Sequence, residues 1–62
     1  MNILAMTRTK LNYQITNLHS LQEVDISTLS QHARDYVNSE IKRVTLNIEY
    51  FQEIIHLLEE TE

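Results

Sequence analysis

The chain has 62 residues and contains no cysteine, glycine or proline. Disulfides are therefore excluded, and the lack of the usual turn residues argues against a β protein with several turns. A core this small rarely supplies more than about 3–5 kcal/mol, so we expect association with another chain. The net charge of −4 opposes nucleic-acid binding and attraction to an anionic membrane. No apolar run is long enough to span a bilayer, and we expect a cytoplasmic protein.

The first third of the chain favours a helix over about residues 2–22. Apolar residues recur there at close to helical spacing, at Leu4, Leu11, Ile15, Leu18 and Leu21, with Arg8 interrupting the series. Many of the intervening residues are threonine and asparagine, which are mediocre helix formers. The alternation of apolar and polar residues over Leu11–Thr16 leaves a β-strand open as an alternative.

A polar turn is predicted over about residues 22–27, followed by a second helix over about 26–60. Asp25 suits the N-cap of that helix, because its carboxylate can accept orphan amide protons; Ser27 is a rival cap. A helix from Ile26 to Glu60 would be roughly 50 Å long, which indicates a hairpin or a coiled coil.

The second helix carries a heptad pattern of apolar residues, here called the seam. Its members alternate in spacings of three and four, at Ile41, Val44, Ile48, Phe51, Ile55 and Leu58. Val37 extends the seam backward, and Ile26, Leu29, Ala33 and Tyr36 continue the apolar face with a shift in phase. A second set lies off the seam, at Leu46, Tyr50, Ile54 and Leu57.

The predicted fold is therefore all-α, a single domain over residues 1–62 folded as an antiparallel two-helix hairpin with a long, coiled-coil-like second helix. We predict that the seam meets the first helix, which would cover the central part of the second. The off-seam set is then the candidate face for a partner protein or for self-association.

Candidate sites for catalysis or metal binding are weak. Glu53 and His56 have the Glu-x-x-His spacing of di-iron bundles but fall on the side of the helix away from the seam. His19 and His32 have no second histidine at helical spacing, and the serines at positions 20, 27, 30 and 39 lack a base and a pocket. We expect no enzymatic activity, no cofactor and no metal.

Charged residues give little indication of a partner. Arg34, Lys42 and Arg43 form no basic stripe, so nucleic-acid binding is not expected. Glu59, Glu60 and Glu62 follow the seam at a helix C-terminus, where the helix dipole disfavours negative charge. We interpret them as a frayed, solvated tail, with contact to a basic partner surface as the alternative.

The overall pattern resembles the small co-chaperones of type III secretion needle subunits. The resemblance rests on chain length, acidity, two unequal helices and the Ile/Leu-rich stretch Tyr50–Leu58. It implies a helical hairpin that binds a helical-repeat chaperone, together holding an aggregation-prone needle subunit in the cytosol. No functional residues of that family can be assigned to positions of this chain.

A second resemblance is to ribbon-helix-helix repressors and antitoxins. Val37-Asn-Ser-Glu-Ile41 looks like the opening of the second helix of that fold. The resemblance implies a strand at Leu11–Thr16, a first helix over Asp25–Asp35 and a DNA-binding dimer. The candidate strand carries no basic residue that would read base edges, and the glycine-containing turn of that family is absent.

Overall fold

The computed structural model describes residues 2–61, and its fold is an antiparallel hairpin of two helices. Helix α1 spans Ile3–Gln22 and helix α2 spans Gln31–Glu60, with a single 3₁₀ turn at Ile26–Thr28 between them. The two helices pack along each other in a rod of 48 × 14 × 14 Å. The all-α hairpin with a longer second helix is confirmed.

Over the described residues there is no β-strand, and Leu11–Thr16 lies inside α1. The strand alternative is therefore wrong, and the ribbon-helix-helix resemblance loses the element that it requires. Neither α1 nor α2, the helices of this part of the chain, has the combination of length and hydropathy that a membrane span requires.

Helix α1 contains many threonines, and local hydrogen bonds satisfy its first turn and several of its threonine hydroxyls. Asn2 is the N-cap, and its side-chain oxygen accepts from the amides of Leu4 at 2.9 Å and Ala5 at 3.3 Å. The hydroxyl of Thr7 donates to the carbonyl of Ile3 at 2.8 Å. Thr9 and Thr16 make the same bond to the carbonyl four residues earlier, so these side chains satisfy themselves within the helix.

Helix α2 begins at Gln31, five residues later than the predicted start at Ile26. Its N-cap is Ser30, whose hydroxyl accepts from the amide of Ala33, and neither Asp25 nor Ser27 caps it. Asp25 instead caps the 3₁₀ turn, where its carboxylate accepts from the amide of Ser27 at 3.1 Å and from its hydroxyl at 2.6 Å. The Ser27 bonds lower the pKa of Asp25 below its ordinary value.

The free ends of the two helices meet at one end of the rod. Nη2 of Arg8 donates to Oε1 of Glu59 at 3.1 Å, so the beginning of α1 lies beside the end of α2. Helix α1 therefore runs along the C-terminal two-thirds of α2, which includes the central part that it was predicted to cover. Beside the N-terminal third lies the connecting segment 23–30, fastened by a 3.1 Å bond from Nε of Arg34 to the carbonyl of Leu29.

The same contact changes the interpretation of the acidic end. Glu59 pairs with Arg8, and Glu60 with His56 at 2.9 Å, while α2 stays helical through Glu60. The prediction of a frayed tail is therefore wrong for these two residues. Glu62 lies outside the described residues.

The core of the hairpin is small. Among the described residues, the buried apolar side chains are Leu4, Val37 and Val44, and only Val44, at 1% exposure, is fully enclosed. The apolar face predicted to continue before Val37 is only partly present. Ile26 lies in the 3₁₀ turn and Tyr36 is exposed, whereas Ala33 is half-buried and Val37 is buried.

Candidate interaction surface

The seam and the off-seam set occupy different surfaces of α2. Val44 is buried, and the other five seam residues are half-buried along the line that packs on α1, namely Ile41, Ile48, Phe51, Ile55 and Leu58. The off-seam residues Leu46, Tyr50, Ile54 and Leu57 are all exposed. They follow one another at spacings of four, four and three, so they form a continuous stripe on one flank of the helix.

Helix α1 contributes three further exposed apolar residues, which the sequence analysis did not assign to any surface. Ile3, Met6 and Tyr13 lie off the buried line of α1, and Tyr13 is 69% exposed. Met6 and Tyr13 are seven residues apart, so they lie on the same face of α1. This face is out of phase with that of the core residues Leu4, Leu11 and Leu18, and this difference in phase separates the two groups in the sequence.

The exposed apolar residues of both helices lie on the same side of the hairpin. The contact between Arg8 and Glu59 defines one side of the hairpin. Each of these residues lies next to the line of buried residues on its own helix. Met6 and Tyr13 project from the flank of α1 opposite Arg8, and Tyr50 and Ile54 do so from the flank of α2 opposite Glu59. We call the resulting surface the apolar side; its members are Ile3, Met6, Tyr13, Tyr50 and Ile54, with Leu46 and Leu57 at its edge, three residues before Glu49 and Glu60.

A depression of about 470 Å³ opens between the helices within this side. It is lined by Thr9, Lys10, Tyr13, Gln14 and Phe51, so an aromatic ring from the seam is accessible through it. The side-chain oxygen of Gln14 is buried here and has no hydrogen-bond partner. A buried acceptor without a donor costs free energy, so a ligand group that supplies a donor here is favoured.

Charges are distributed unevenly around the rod. Lys10 lies at the depression and forms no ion pair with any residue in the described range. On α2, Arg43 makes a two-pronged pair with Glu40, at 2.7 and 3.3 Å. This bond lowers the pKa of Glu40 and raises that of Arg43. The outward surface of α2 instead carries acids, at Asp35, Glu49, Glu53 and Glu60.

The weak catalytic and metal candidates are not brought together. His56 pairs with Glu60 and is exposed, as are Glu53, His19 and His32. Residues 2–61 contain no group of three histidine or acidic side chains placed to hold a metal ion. Ser27 and Ser30 serve as turn and cap residues, and Ser20 and Ser39 are exposed on the two helices.

The geometry thus defines a helical hairpin with one apolar and one polar side. Comparison of the chain with family models, with curated proteins and with solved structures gave no match. The arguments that follow therefore rest on the hairpin itself.

Proposed function

We propose that the protein is a non-enzymatic helical interaction protein, an adaptor or co-chaperone that binds and stabilises a partner protein. The observation that carries this proposal is the apolar side. Its members are large apolar residues that are 40–69% exposed, and extended exposed apolar patches mark interaction sites in proteins. Such a surface is favourable only when another molecule covers it.

The small core supports the same function. With a single fully enclosed side chain, the hairpin buries little apolar surface by itself. Covering the apolar side would place the half-buried Phe51 and Ile55 in the middle of a larger core. Partner binding and folding stability are then coupled, because a partner that binds only the folded hairpin stabilises it.

The more specific form of the proposal is a cytoplasmic co-chaperone for a type III secretion needle subunit. A helical hairpin is the architecture that this resemblance implies. Co-expression with a needle subunit and its helical-repeat chaperone from the same host tests it directly. We expect a ternary complex in gel filtration, and elution of this chain apart from both proteins would contradict the specific form alone.

Site-specific photo-cross-linking in the native host tests the general proposal. A benzoylphenylalanine at Tyr50 or Leu57 on the apolar side is expected to give a discrete adduct of higher mass. The matched control places benzoylphenylalanine at position 52, because Gln52 is exposed on the opposite flank of α2. Equal adducts at positions 50 and 52, or none at 50 and 57, would contradict binding through the apolar side.

A further inference from the structure

We propose that the partner segment on the apolar side is a single amphipathic α-helix with an acidic residue among its apolar ones, which packs against α1 and α2 as the third helix of a bundle. This inference rests on the proposed function, since it names the chemistry of the partner that covers the same surface.

Each helix carries a second heptad stripe beside its buried line. The spacings alternate between three and four residues along both stripes, and both stripes lie on the side of the hairpin away from Arg8 and Glu59. The α1 stripe consists of Ile3, Met6, Lys10, Tyr13 and Asn17, and the α2 stripe of Asn47, Tyr50, Ile54 and Leu57. Two antiparallel stripes therefore border one groove, and the depression over Phe51 opens within it.

The repeat of this groove fits a helix better than an extended chain. Positions seven residues apart along a stripe are about 10.5 Å apart, and a facing α-helix in heptad packing repeats its side chains over the same distance. An extended strand presents side chains to one face about every 6.6 Å, so it does not stay in step with the two stripes. The α1 stripe is about 21 Å long, which corresponds to a partner helix of about four turns.

Lys10 gives the groove its charge. It is the one charged residue of the two stripes, it is exposed, and it forms no ion pair within the described range, although the chain has nine acids. Glu49, Glu53 and Glu60 lie on the outward surface of α2, in a rod 14 Å thick, and exposed charges are largely screened beyond about 8 Å at physiological ionic strength. A carboxylate on the partner helix is therefore attracted to this side of the hairpin.

Half-buried amides close the groove at the end near the turn. Asn17 and Asn47 are the members of the two stripes that lie nearest to the connecting segment. A polar residue within a heptad seam fixes the register of the helices that pack there. The partner helix is therefore expected to place a polar residue at this level and its apolar residues beside Tyr13, Tyr50 and Ile54.

A second copy of this chain does not have the required chemistry. Neither of its stripes carries an acid, so a second copy would bring no carboxylate to Lys10. Glu40 lies seven residues before Asn47 on the same line of α2, but it is already paired with Arg43 at 2.7 Å. The occupant that this groove favours is a helix of another protein.

Binding of designed peptides to the full chain, measured by isothermal titration calorimetry, tests the proposal. The probe is a helical peptide of about 16 residues with leucines at heptad spacing and one glutamate on the same face. We expect it to bind at least about fivefold more tightly than the same peptide with lysine in place of the glutamate. Lys10→Glu should reverse this preference, whereas Lys42→Glu, the same change at an exposed position on the opposite flank of α2, should leave it unchanged.

A third peptide, with proline at its centre, tests the requirement for a helix, because proline breaks the helix interior. Equal binding of the glutamate and lysine peptides, the same reversal in Lys42→Glu, undiminished binding of the proline peptide, or no binding at all would overturn the proposal. So would an adduct at Tyr50 with the mass of two copies of the chain. The cross-linking separates the two failures, since a hetero-adduct at Tyr50 without the expected peptide preference overturns only the helix proposal, whereas no adduct overturns both.

Discussion

Arg8 and Glu59 are 51 residues apart in the chain, yet their side chains meet at 3.1 Å and show how the two helices are aligned. Both side chains remain about half exposed, so the pair contributes little to stability. Exposed ion pairs contribute about 0.2–1 kcal/mol and are screened by salt.

A double-mutant cycle of Arg8→Ala and Glu59→Ala should therefore give a coupling free energy within that range of about 0.2–1 kcal/mol. The coupling should shrink when the ionic strength rises from 0.05 to 1 M, as followed by urea denaturation. A coupling that is unchanged by salt would show that the contact is not an ion pair in solution.

Val44 is the packing centre of the hairpin. Val44→Ala removes two buried methyl groups and leaves a cavity, which should cost roughly 2 kcal/mol of the free energy of unfolding. Val24→Ala, the same change at an exposed position of the connecting segment, should cost much less. Thermal melting by circular dichroism measures both, and equal losses would place the core elsewhere.

Ser30 is the residue that starts α2. Ser30→Ala removes the acceptor for the amide of Ala33 and should cost about 1 kcal/mol of stability, with loss of helical signal at the first turn. Ser39→Ala, at an exposed position within α2, should be neutral or slightly stabilising because alanine is the better helix former. If Ser27→Ala cost more than Ser30→Ala, the start of α2 would lie earlier in solution.

The capping interaction of Asp25 should make the stability of the hairpin depend on pH. Its pKa is lowered by the Ser27 hydroxyl and amide, so its contribution to stability is fully present above the ordinary carboxyl pKa of about 4. The contribution is lost as the pH falls through the lowered pKa of the folded state. The stability difference between the native chain and Asp25→Asn should be largest at neutral pH and vanish in acid.

A titration of the Asp25 carboxyl carbon by NMR measures that pKa directly. The Ser27→Ala variant is its control, because loss of the hydroxyl bond should return the midpoint toward the ordinary value. A midpoint at or above the ordinary value in the native chain would contradict the capping interaction.

The fold was predictable because its main signals are periodic. The spacings of three and four in the seam locate the buried line of α2, and the absence of glycine and proline favours a hairpin of helices. The start of α2 was not predictable by the same means. Asp25, Ser27 and Ser30 are all good caps, and the choice among them depends on how the segment lies along α2, with Arg34 fastened to Leu29.

Only part of the interaction surface could be predicted from the sequence. The off-seam residues of α2 could be assigned because the seam supplies a reference phase. Met6 and Tyr13 could not, since grouping them with Tyr50 requires the relative rotation of both helices. The unpaired oxygen of Gln14 is likewise a product of packing, because an isolated glutamine in a helix would be hydrated.

Throughout the described residues, no backbone φ angle is positive. The chain reverses direction at residues 23–30 without left-handed residues. Asp25 accepts hydrogen bonds from Ser27 and Thr28 there, and Arg34 donates one to Leu29. Many side chains tolerate such a backbone, so the reversal imposes no fixed sequence signature. A search for relatives of this protein should therefore compare the spacing of apolar residues along both helices. The amino-acid sequence of the turn is a poorer criterion.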